Sequence, residues 1–256
     1  MATGVRNTGD FCWINVLTSQ PKQAEEFFNR ILGWTYTDLP GMGSSIKVDG
    51  HEIGGLWDLA SPNTPPGTPP GIGIMVKVDD ADAMVTKAAS IGGTAKPAFD
   101  IMDVGRMAEI KDPSGAQIDI WQPRKNSGTD ADKAHHGAPS WFENYSADTE
   151  KSRKFYAELF GWTPEVMPMP GMEYTIFKLG DTQIAGMMSN AQVGGMAPTW
   201  AVYFTVDDVD KTAAEAGKNG GSVFVPPTDI PQVGRFAGIA SPQGVRFFAM
   251  TYVRPN

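Results

Sequence analysis

The sequence has 256 residues, of which 41% are hydrophobic and 20% are charged, enough for one large or two ordinary domains with real cores. Its net charge of −8 argues against nucleic-acid binding, because nucleic acid requires a basic protein surface. No apolar run reaches the roughly 18 residues of a membrane helix, and the start of the chain lacks a signal-peptide pattern, so we expect a cytoplasmic protein with no membrane partner.

Side chains alternate in character along the first predicted strand, which includes the only cysteine of the chain, Cys12. Successive side chains of a strand point to opposite faces, so Cys12, Ile14 and Val16 are predicted to pack under the helices. Trp13 and Asn15 then face the opposite side. The helix that follows has an apolar stripe with the 3.6-residue period, formed by Ala24, Phe27, Phe28 and Ile31.

The rest of the first half contains short strands, a second helix and a proline-rich loop at Ser61–Gly71. Two strands are predicted at Ser44–Val48 and Glu52–Leu56. The second helix begins after Asp80, whose short acidic side chain suits a helix N-terminus. In the two remaining strands, alternation turns a polar or bulky set away from the helices, namely Gly73, Met75 and Lys77, and then Gln117, Asp119 and Trp121.

The second half of the chain repeats the first at an offset of 128 residues, as Phe155 repeats Phe27 and Trp141 repeats Trp13. A weaker repeat of about 60 residues inside each half indicates four units that each open with a strand and a helix. We therefore predict a first module, a polar linker that contains both His135 and His136, and a second module, at residues 1–123, 124–138 and 139–256.

These units resemble a known family. Four βαβββ units in series, with Gly33-Trp34 or Gly161-Trp162 after the first helix of each half and Asp112-Pro113-Ser114-Gly115 before a last strand, resemble the vicinal oxygen chelate superfamily. That superfamily includes glyoxalase I, extradiol dioxygenases and bleomycin-resistance proteins, and the resemblance is to a two-module group with members in polyketide pathways. It implies an α+β fold in which paired βαβββ units form two tandem cupped-sheet modules, but this fold supports several functions.

The resemblance also implies where a metal centre would lie. In metal-using members, the first and last strands of paired units supply His, Glu or Gln ligands, and a divalent metal needs three or four such donors. The chain has only three histidines, none of them on a predicted first strand. We therefore expect no cofactor and consider a divalent metal improbable. The ligand positions are predicted at Trp13 and Trp141, Gly73 and Ala201, near Leu56 and Met187, and at Asp119 and Phe248.

The predicted cups are lined by aromatic and methionine side chains with a few polar groups. This composition suits a small, flat, partly apolar organic ligand, and the resemblance implies an aromatic, polyketide-like molecule. The alternative is that the side chains simply fill the cups; the first cup is the better pocket because Gly73 leaves room opposite Trp13. The expected ligand-binding residues are Trp13, Asn15, Met75, Trp121, Trp141, Tyr145, Tyr203, Phe248 and Met250.

Two carboxylic residues, Asp119 and Glu143, are predicted to face the cups. Burial there would raise the pKa of either group and allow acid or base catalysis. The simpler interpretation is an ion pair with Lys77 or Arg246.

Two arginines in matching positions, Arg106 and Arg235, follow a glycine, and each has an aspartate six residues upstream, Asp100 or Asp229. Because both halves repeat it, the pattern favours a structural Arg–Asp pair over a substrate clamp.

Three functions remain open. The first is a metal-free binding protein for a small molecule, acting as a monomer or homodimer. The second is a lyase, cyclase or hydroxylase-like enzyme of secondary metabolism that uses Asp119 or Glu143 as acid or base. The third is a metal-dependent glyoxalase or dioxygenase.

Overall fold

The computed structural model describes residues 6–41, 43–62, 64, 67–169 and 171–253, which fold into two curled sheets and a layer of helices. The first sheet contains β1 (Phe11–Thr18), β2 (Thr35–Leu39), β3 (Gly43–Val48), β4 (His51–Asp58), β5 (Gly71–Lys77), β6 (Thr94–Ala95), β7 (Phe99–Ile101), β8 (Gly105–Lys111) and β9 (Gln117–Pro123). The second contains β10 (Pro139–Ser146), β11 (Thr163–Met169), β12 (Met172–Leu179), β13 (Thr182–Ser189), β14 (Thr199–Thr205), β15 (Ser222–Ile230), β16 (Gly234–Ala240) and β17 (Arg246–Tyr252). The helices are α1 (Pro21–Leu32), α2 (Ala81–Ser90), α3 (Thr149–Phe160), α4 (Val209–Lys218) and the short 3-10 helix Asn190–Val193.

Both sheets have the same topology, which confirms the predicted α+β fold of four paired βαβββ units. The strand orders are β2-β3-β4-β1-β5-β9-β8-β6, with β7 beside β8, and β11-β12-β13-β10-β14-β17-β16-β15. At the centre of each sheet, the first strands of two units pair antiparallel, and the registers match because Trp13 lies opposite Met75 and Trp141 lies opposite Tyr203. Equivalent residues of the two halves therefore occupy equivalent positions on the two sheets.

Helix α2 begins after Asp80, as the sequence predicts, and α3 and α4 also begin after an aspartate. Asp80, Asp148 and Asp208 each accept a hydrogen bond from the backbone N–H three residues further on. Gly33 and Gly161 end α1 and α3 in the left-handed conformation, at φ 66° and 72°. Within the described residues, no helix is both long enough and apolar enough to cross a membrane.

The helix layers of the two modules pack together and form one continuous core. Phe11 stacks on Phe142 with ring centroids 3.9 Å apart, and Phe28 lies 5.5 Å from Phe247. The segment between the sheets packs closely as well, because Trp34 Nε1 donates to the backbone oxygen of Gly137 at 2.8 Å. Stability of each half therefore depends on the other.

A buried polar network crosses the interface between the two modules. The Asp112 carboxylate, in the turn before β9, accepts hydrogen bonds from Ser152 Oγ at 2.7 Å and Tyr156 Oη at 3.1 Å, both on α3. Tyr156 Oη in turn accepts from Trp200 Nε1 at 2.8 Å. The matching turn of the second half has Ser241, whose Oγ accepts from the backbone N–H groups of Gln243 and Val245, each at 3.3 Å.

The prediction that Cys12 packs under the helices is wrong. A β-bulge between Phe11 and Trp13 adds a residue to β1 and shifts the alternation of its side chains. Phe11 enters the helix-side core, and Cys12 packs instead with Met75 and Trp121 on the other face. The thiol is buried, and burial raises its pKa well above the ordinary value, so Cys12 remains an apolar packing residue.

Candidate functional site

The first cup is the face of the first sheet that points away from the helices. Its floor brings together residues from four strands, since Asn15 of β1 lies between Gly55 of β4 and Gly73 of β5, and Met75 of β5 lies beside Asp119 of β9. The residue opposite Gly73 is thus Asn15, not Trp13 as expected. A Cβ on Gly73 would lie 3.4 Å from Asp119 Oδ2 and 3.7 Å from Asn15 Cβ, so these three residues share one small area. The cup-facing residues of this sheet are Trp13, Asn15, Gly55, Trp57, Gly73, Met75, Asp119 and Trp121.

Trp57 is a first-cup residue that sequence reasoning missed. Its Nε1 donates to Asn15 Oδ1 at 2.8 Å, and its ring lies over Gly55, where a Cβ would come within 2.5 Å of it. The ligand position predicted near Leu56 does not fall on Leu56 itself, because this side chain is buried in the helix-side core, as is its counterpart Met187. Strand alternation could have identified Trp57 from the sequence, because a residue at Leu56 that packs in the core places its two neighbours on the cup side.

Three tryptophans face the first cup. Trp121 lies flat over Gly105, and its Nε1 donates to the backbone oxygen of Asn126 at 2.9 Å. Trp57 is held by Asn15, whereas Trp13 makes no side-chain hydrogen bond among the described residues and is half-buried. Two rings are therefore fixed, and the third has solvent-accessible area for a ligand.

The Asp119 carboxyl is buried at the edge of this floor, with 6% of the residue exposed. Its Oδ1 accepts a hydrogen bond from Gln117 Nε2 at 3.1 Å. Burial is the main cause of a pKa of about 7 for Asp119; the hydrogen bond from Gln117 opposes this rise, and the negative charge of Glu109 on the neighbouring strand adds to it. The predicted ion pair with Lys77 is wrong, because Lys77 Nζ donates to the backbone oxygen of Arg6 at 2.9 Å.

The second cup contains Glu143 at the position equivalent to Asn15. Glu143 is 3% exposed, and its Oε2 accepts from Tyr174 Oη at 2.7 Å and from Trp141 Nε1 at 3.1 Å. Its Oε1 is buried without a hydrogen-bond partner among the described residues. Burial raises the pKa of Glu143 to about 8. The predicted ion pair with Arg246 is wrong, because that guanidinium lies 5.2 Å from the ring of Phe224.

The second cup is filled more completely by its own side chains than the first. Tyr145, Tyr203, Phe248 and Met250 form a buried cluster, in which Tyr203 stacks on Phe248 at 4.5 Å. The hydroxyl groups of Tyr145 and Tyr203 lie 3.4 Å apart. The alternative interpretation of the sequence, in which the cup-facing side chains fill the cup themselves, therefore applies to the floor of the second cup. The side chains packed around the cluster are partly exposed, and they include Trp141, Met188, Met196, Ala201 and Phe236.

Large and small residues are exchanged between the cups. Strand registers place Tyr174 where the first cup has Gly43, and Met188 where it has Trp57. A Cβ on Gly43 would lie 3.1 Å from the Trp57 ring. In both cups an aromatic donor thus bonds the polar residue of the central strand, but it comes from a different strand in each.

The paired arginines make the predicted structural contacts. Arg106 bonds Asp100 at 2.9 Å and Arg235 bonds Asp229 at 2.9 Å, and each also forms a two-pronged pair with an aspartate in the first turn of the neighbouring helix. These contacts join the start of a helix to a strand pair on the protein surface.

A charged cleft of about 340 Å³ lies outside both cups, beside the start of α1. Lys22 pairs with Glu25 there at 3.0 Å, and Ser44 Oγ donates to Glu25 at 2.6 Å. Its charged groups are already paired or solvated, so it is a poorer match to an apolar ligand than either cup.

The sequence comparisons now add to this geometry. A family model for the Glyoxalase/Bleomycin resistance protein/Dioxygenase superfamily matches residues 11–120 and again 139–247. The chain belongs to this superfamily. Each match covers one sheet with its helices, so the internal repeat corresponds to two copies of the family's unit.

Relatives and solved structures of the superfamily span the whole chain. CFP32 of Mycobacterium tuberculosis, provisionally described as a glyoxylase, is 36% identical over 242 residues, which is 92% of both chains. The anthracycline biosynthesis protein DnrV of Streptomyces peucetius is 28% identical over 250 residues, covering 92% of this chain and 90% of its own. The 2,3-dioxygenase LapB from Pseudomonas sp. KL28 has a TM-score of 0.67 at 15% identity, covering 99% of this chain and 96% of LapB. The Mn(II)-bound glyoxalase from Novosphingobium aromaticivorans has a TM-score of 0.67 at 12% identity, covering 96% of this chain and 83% of the glyoxalase. The two structural likenesses show the shared fold.

The residues of the cups do not fit the metal centre that the superfamily implies. A divalent metal needs three or four converging N or O donors, whereas the first floor offers Asn15 and Asp119 and the second offers Glu143. In the part of the chain that the structure describes, no group of three His, Cys, Asp or Glu side chains could hold a metal.

The histidines lie elsewhere, at the segment between the sheets. His51 pairs with Asp130 at 2.8 Å, across the contact between β4 and this segment. His135 and His136 lie 3.5 Å from Asp49 and 3.3 Å from Asp207, respectively. All three histidines therefore join the linker to one module or the other, outside the cups.

Proposed function

We propose that the chain binds a small, flat, partly apolar aromatic molecule of the polyketide kind through protein side chains, with the first cup as its principal site. The observation that carries this proposal is the partly exposed face of the first sheet, on which the rings of Trp13 and Trp57 lie on the same side as Gly73, which has no side chain. Aromatic rings stack on flat ligands, and Met75 adapts to irregular outlines. The likeness to a protein named for anthracycline biosynthesis supports a polycyclic aromatic ligand.

Calorimetric titration with anthracene-2-sulfonate, a soluble flat hydrocarbon, tests this proposal. Trp13→Leu should weaken binding about tenfold, because it removes both a stacking partner and its apolar area. Trp141→Leu is the matched control at the equivalent position of the second cup and should leave the affinity nearly unchanged. Absence of saturable binding, or equal loss in the two variants, would contradict the proposal.

The raised pKa of Asp119 supports a second candidate, an enzyme of secondary metabolism in which this carboxyl is the acid or base. A carboxyl with a pKa of about 7 can both take up and release a proton at neutral pH. Glu143 has the same capacity in the second cup. Incubation with an aromatic pathway intermediate separates the candidates: Asp119→Asn should retain binding but abolish turnover in an enzyme, whereas a binding protein returns its ligand unchanged.

A further inference from the structure

Glu143 has an unusual arrangement of hydrogen bonds for a buried carboxyl. Both of its donors, Tyr174 Oη and Trp141 Nε1, bond the same oxygen, Oε2. Oε1 has neither a described partner nor measurable exposure. A buried polar atom without a partner destabilises the folded state, so the protein retains this atom against a penalty.

The two donors at Oε2 determine where the carboxyl proton lies. An oxygen that already accepts two hydrogen bonds is the poorer site for the proton, so the neutral acid carries it on Oε1. Burial favours this neutral form, since the pKa of Glu143 is about 8, and no described basic side chain forms an ion pair with it. At neutral pH the group is therefore an O–H donor without an acceptor.

The surroundings of Oε1 define what could accept this hydrogen bond. Ala201, the neighbour of Glu143 across the sheet, offers no polar side-chain atom. The nearby hydroxyl groups of Tyr145 and Tyr203 lie within reach of each other. A suitable ligand would accept a hydrogen bond from the O–H group of Glu143 without carrying a charge, and would pack an aromatic ring against the tyrosine cluster. The carbonyl group of an aromatic ketone or quinone meets both conditions.

We propose that the second cup is a recognition site for the carbonyl oxygen of an aromatic ketone or quinone, to which Glu143 donates a hydrogen bond from Oε1. The inference rests on the proposed function in one respect, namely that a small-molecule ligand enters the cups of this protein. Entry requires side chains around the cluster to move, and these include Met188 and Met196, whose unbranched chains rearrange at low cost.

The test uses acetophenone labelled with carbon-13 at its carbonyl, and ethylbenzene as the matched compound without the oxygen. Acetophenone should bind about fivefold more tightly than ethylbenzene, the value of one neutral hydrogen bond. The labelled carbonyl resonance should move downfield on binding, because the bond polarises the C=O group. Both effects should disappear in Glu143→Leu and persist in Glu158→Gln, a change of an exposed carboxyl on α3 outside both cups.

The conservative variant and the pH profile distinguish donation from a purely structural role. Glu143→Gln should retain the downfield shift, because an amide can accept from Tyr174 and Trp141 and still donate through its nitrogen. Above pH 9 the wild-type shift should disappear, as the carboxylate has no proton to donate, whereas the shift in Glu143→Gln should not change.

Two results would overturn the inference: no downfield shift in the wild-type protein, or a shift that is equal in Glu143→Leu or independent of pH. These results are separate from failure of the proposed function, which is read from the anthracene-2-sulfonate titration of the first cup.

Discussion

Replacing Asp112 by alanine tests the polar network that joins the two modules. The Asp112 carboxylate accepts from Ser152 Oγ, Tyr156 Oη and the backbone N–H groups of residues 114 and 116, at 2.7–3.1 Å. The variant leaves Tyr156 Oη and the backbone N–H groups of residues 114 and 116 without this acceptor, whereas Ser152 Oγ can still bond Ser114 Oγ or Ser146 Oγ. Each buried group without a partner costs about 1–3 kcal/mol. Partial relaxation reduces the sum, so we expect the free energy of unfolding to fall by about 4 kcal/mol.

The repeat supplies a matched control at the equivalent turn of the second half. Ser241→Ala removes an acceptor whose two backbone bonds are both long, at 3.3 Å, and should cost only about 1 kcal/mol. Tyr156→Phe places in α3 the residue that α1 has at Phe28 and should cost about 2 kcal/mol, because Trp200 Nε1 loses its acceptor. Urea unfolding followed by circular dichroism gives all three values. Equal losses in Asp112→Ala and Ser241→Ala would refute the reasoning.

Three further predictions concern stability. Folding raises the pKa of Glu143 from 4.5 to about 8 and that of Asp119 from 3.8 to about 7. The stability that each protonated carboxyl contributes is therefore fully present below the lower value and is lost as the pH rises to the higher one. Between pH 5 and pH 9 the urea midpoint should fall by less in Glu143→Gln or Asp119→Asn than in the wild type or in the exposed control Glu158→Gln. Gly93→Ala should destabilise the protein by about 1–3 kcal/mol, because the new Cβ would lie 2.5 Å from the Phe155 ring. Gly217→Ala in α4 should stabilise it by about 0.5–1 kcal/mol, because the new Cβ would have no atom within 4 Å and alanine favours the helix. A lower melting temperature for Gly217→Ala than for Gly93→Ala would contradict the packing. Arg235→Gln should cost at most about 1 kcal/mol, since its aspartate partners are exposed, and a larger change in urea stability would show that the pair is not a simple surface contact.

Local patterns predicted the scaffold well, because they report interactions between residues that are near in sequence. The predicted stripe of Ala24, Phe27, Phe28 and Ile31 is buried on α1, and Asp80 caps α2 as expected. The repeat then placed the second sheet, because the same residues in the same order impose the same registers.

The contents of the cups were harder to predict, because they depend on contacts between distant strands. Tyr174 reaches Glu143 only because β13 alone separates β12 from β10, an order that alternation in one strand does not encode. The bulge at Cys12 adds a residue that reverses the local alternation. The expected ion pairs do not form, because Lys77 donates to a backbone oxygen and the guanidinium of Arg246 lies over an aromatic ring.

The most direct test of the central proposal compares binding with and without metal. Calorimetric titration with anthracene-2-sulfonate should give the same dissociation constant for protein treated with a chelator and for protein supplied with Mn(II), because the proposed contacts come from side chains of the first cup. Binding that appears only in the Mn(II)-supplied protein would contradict the account.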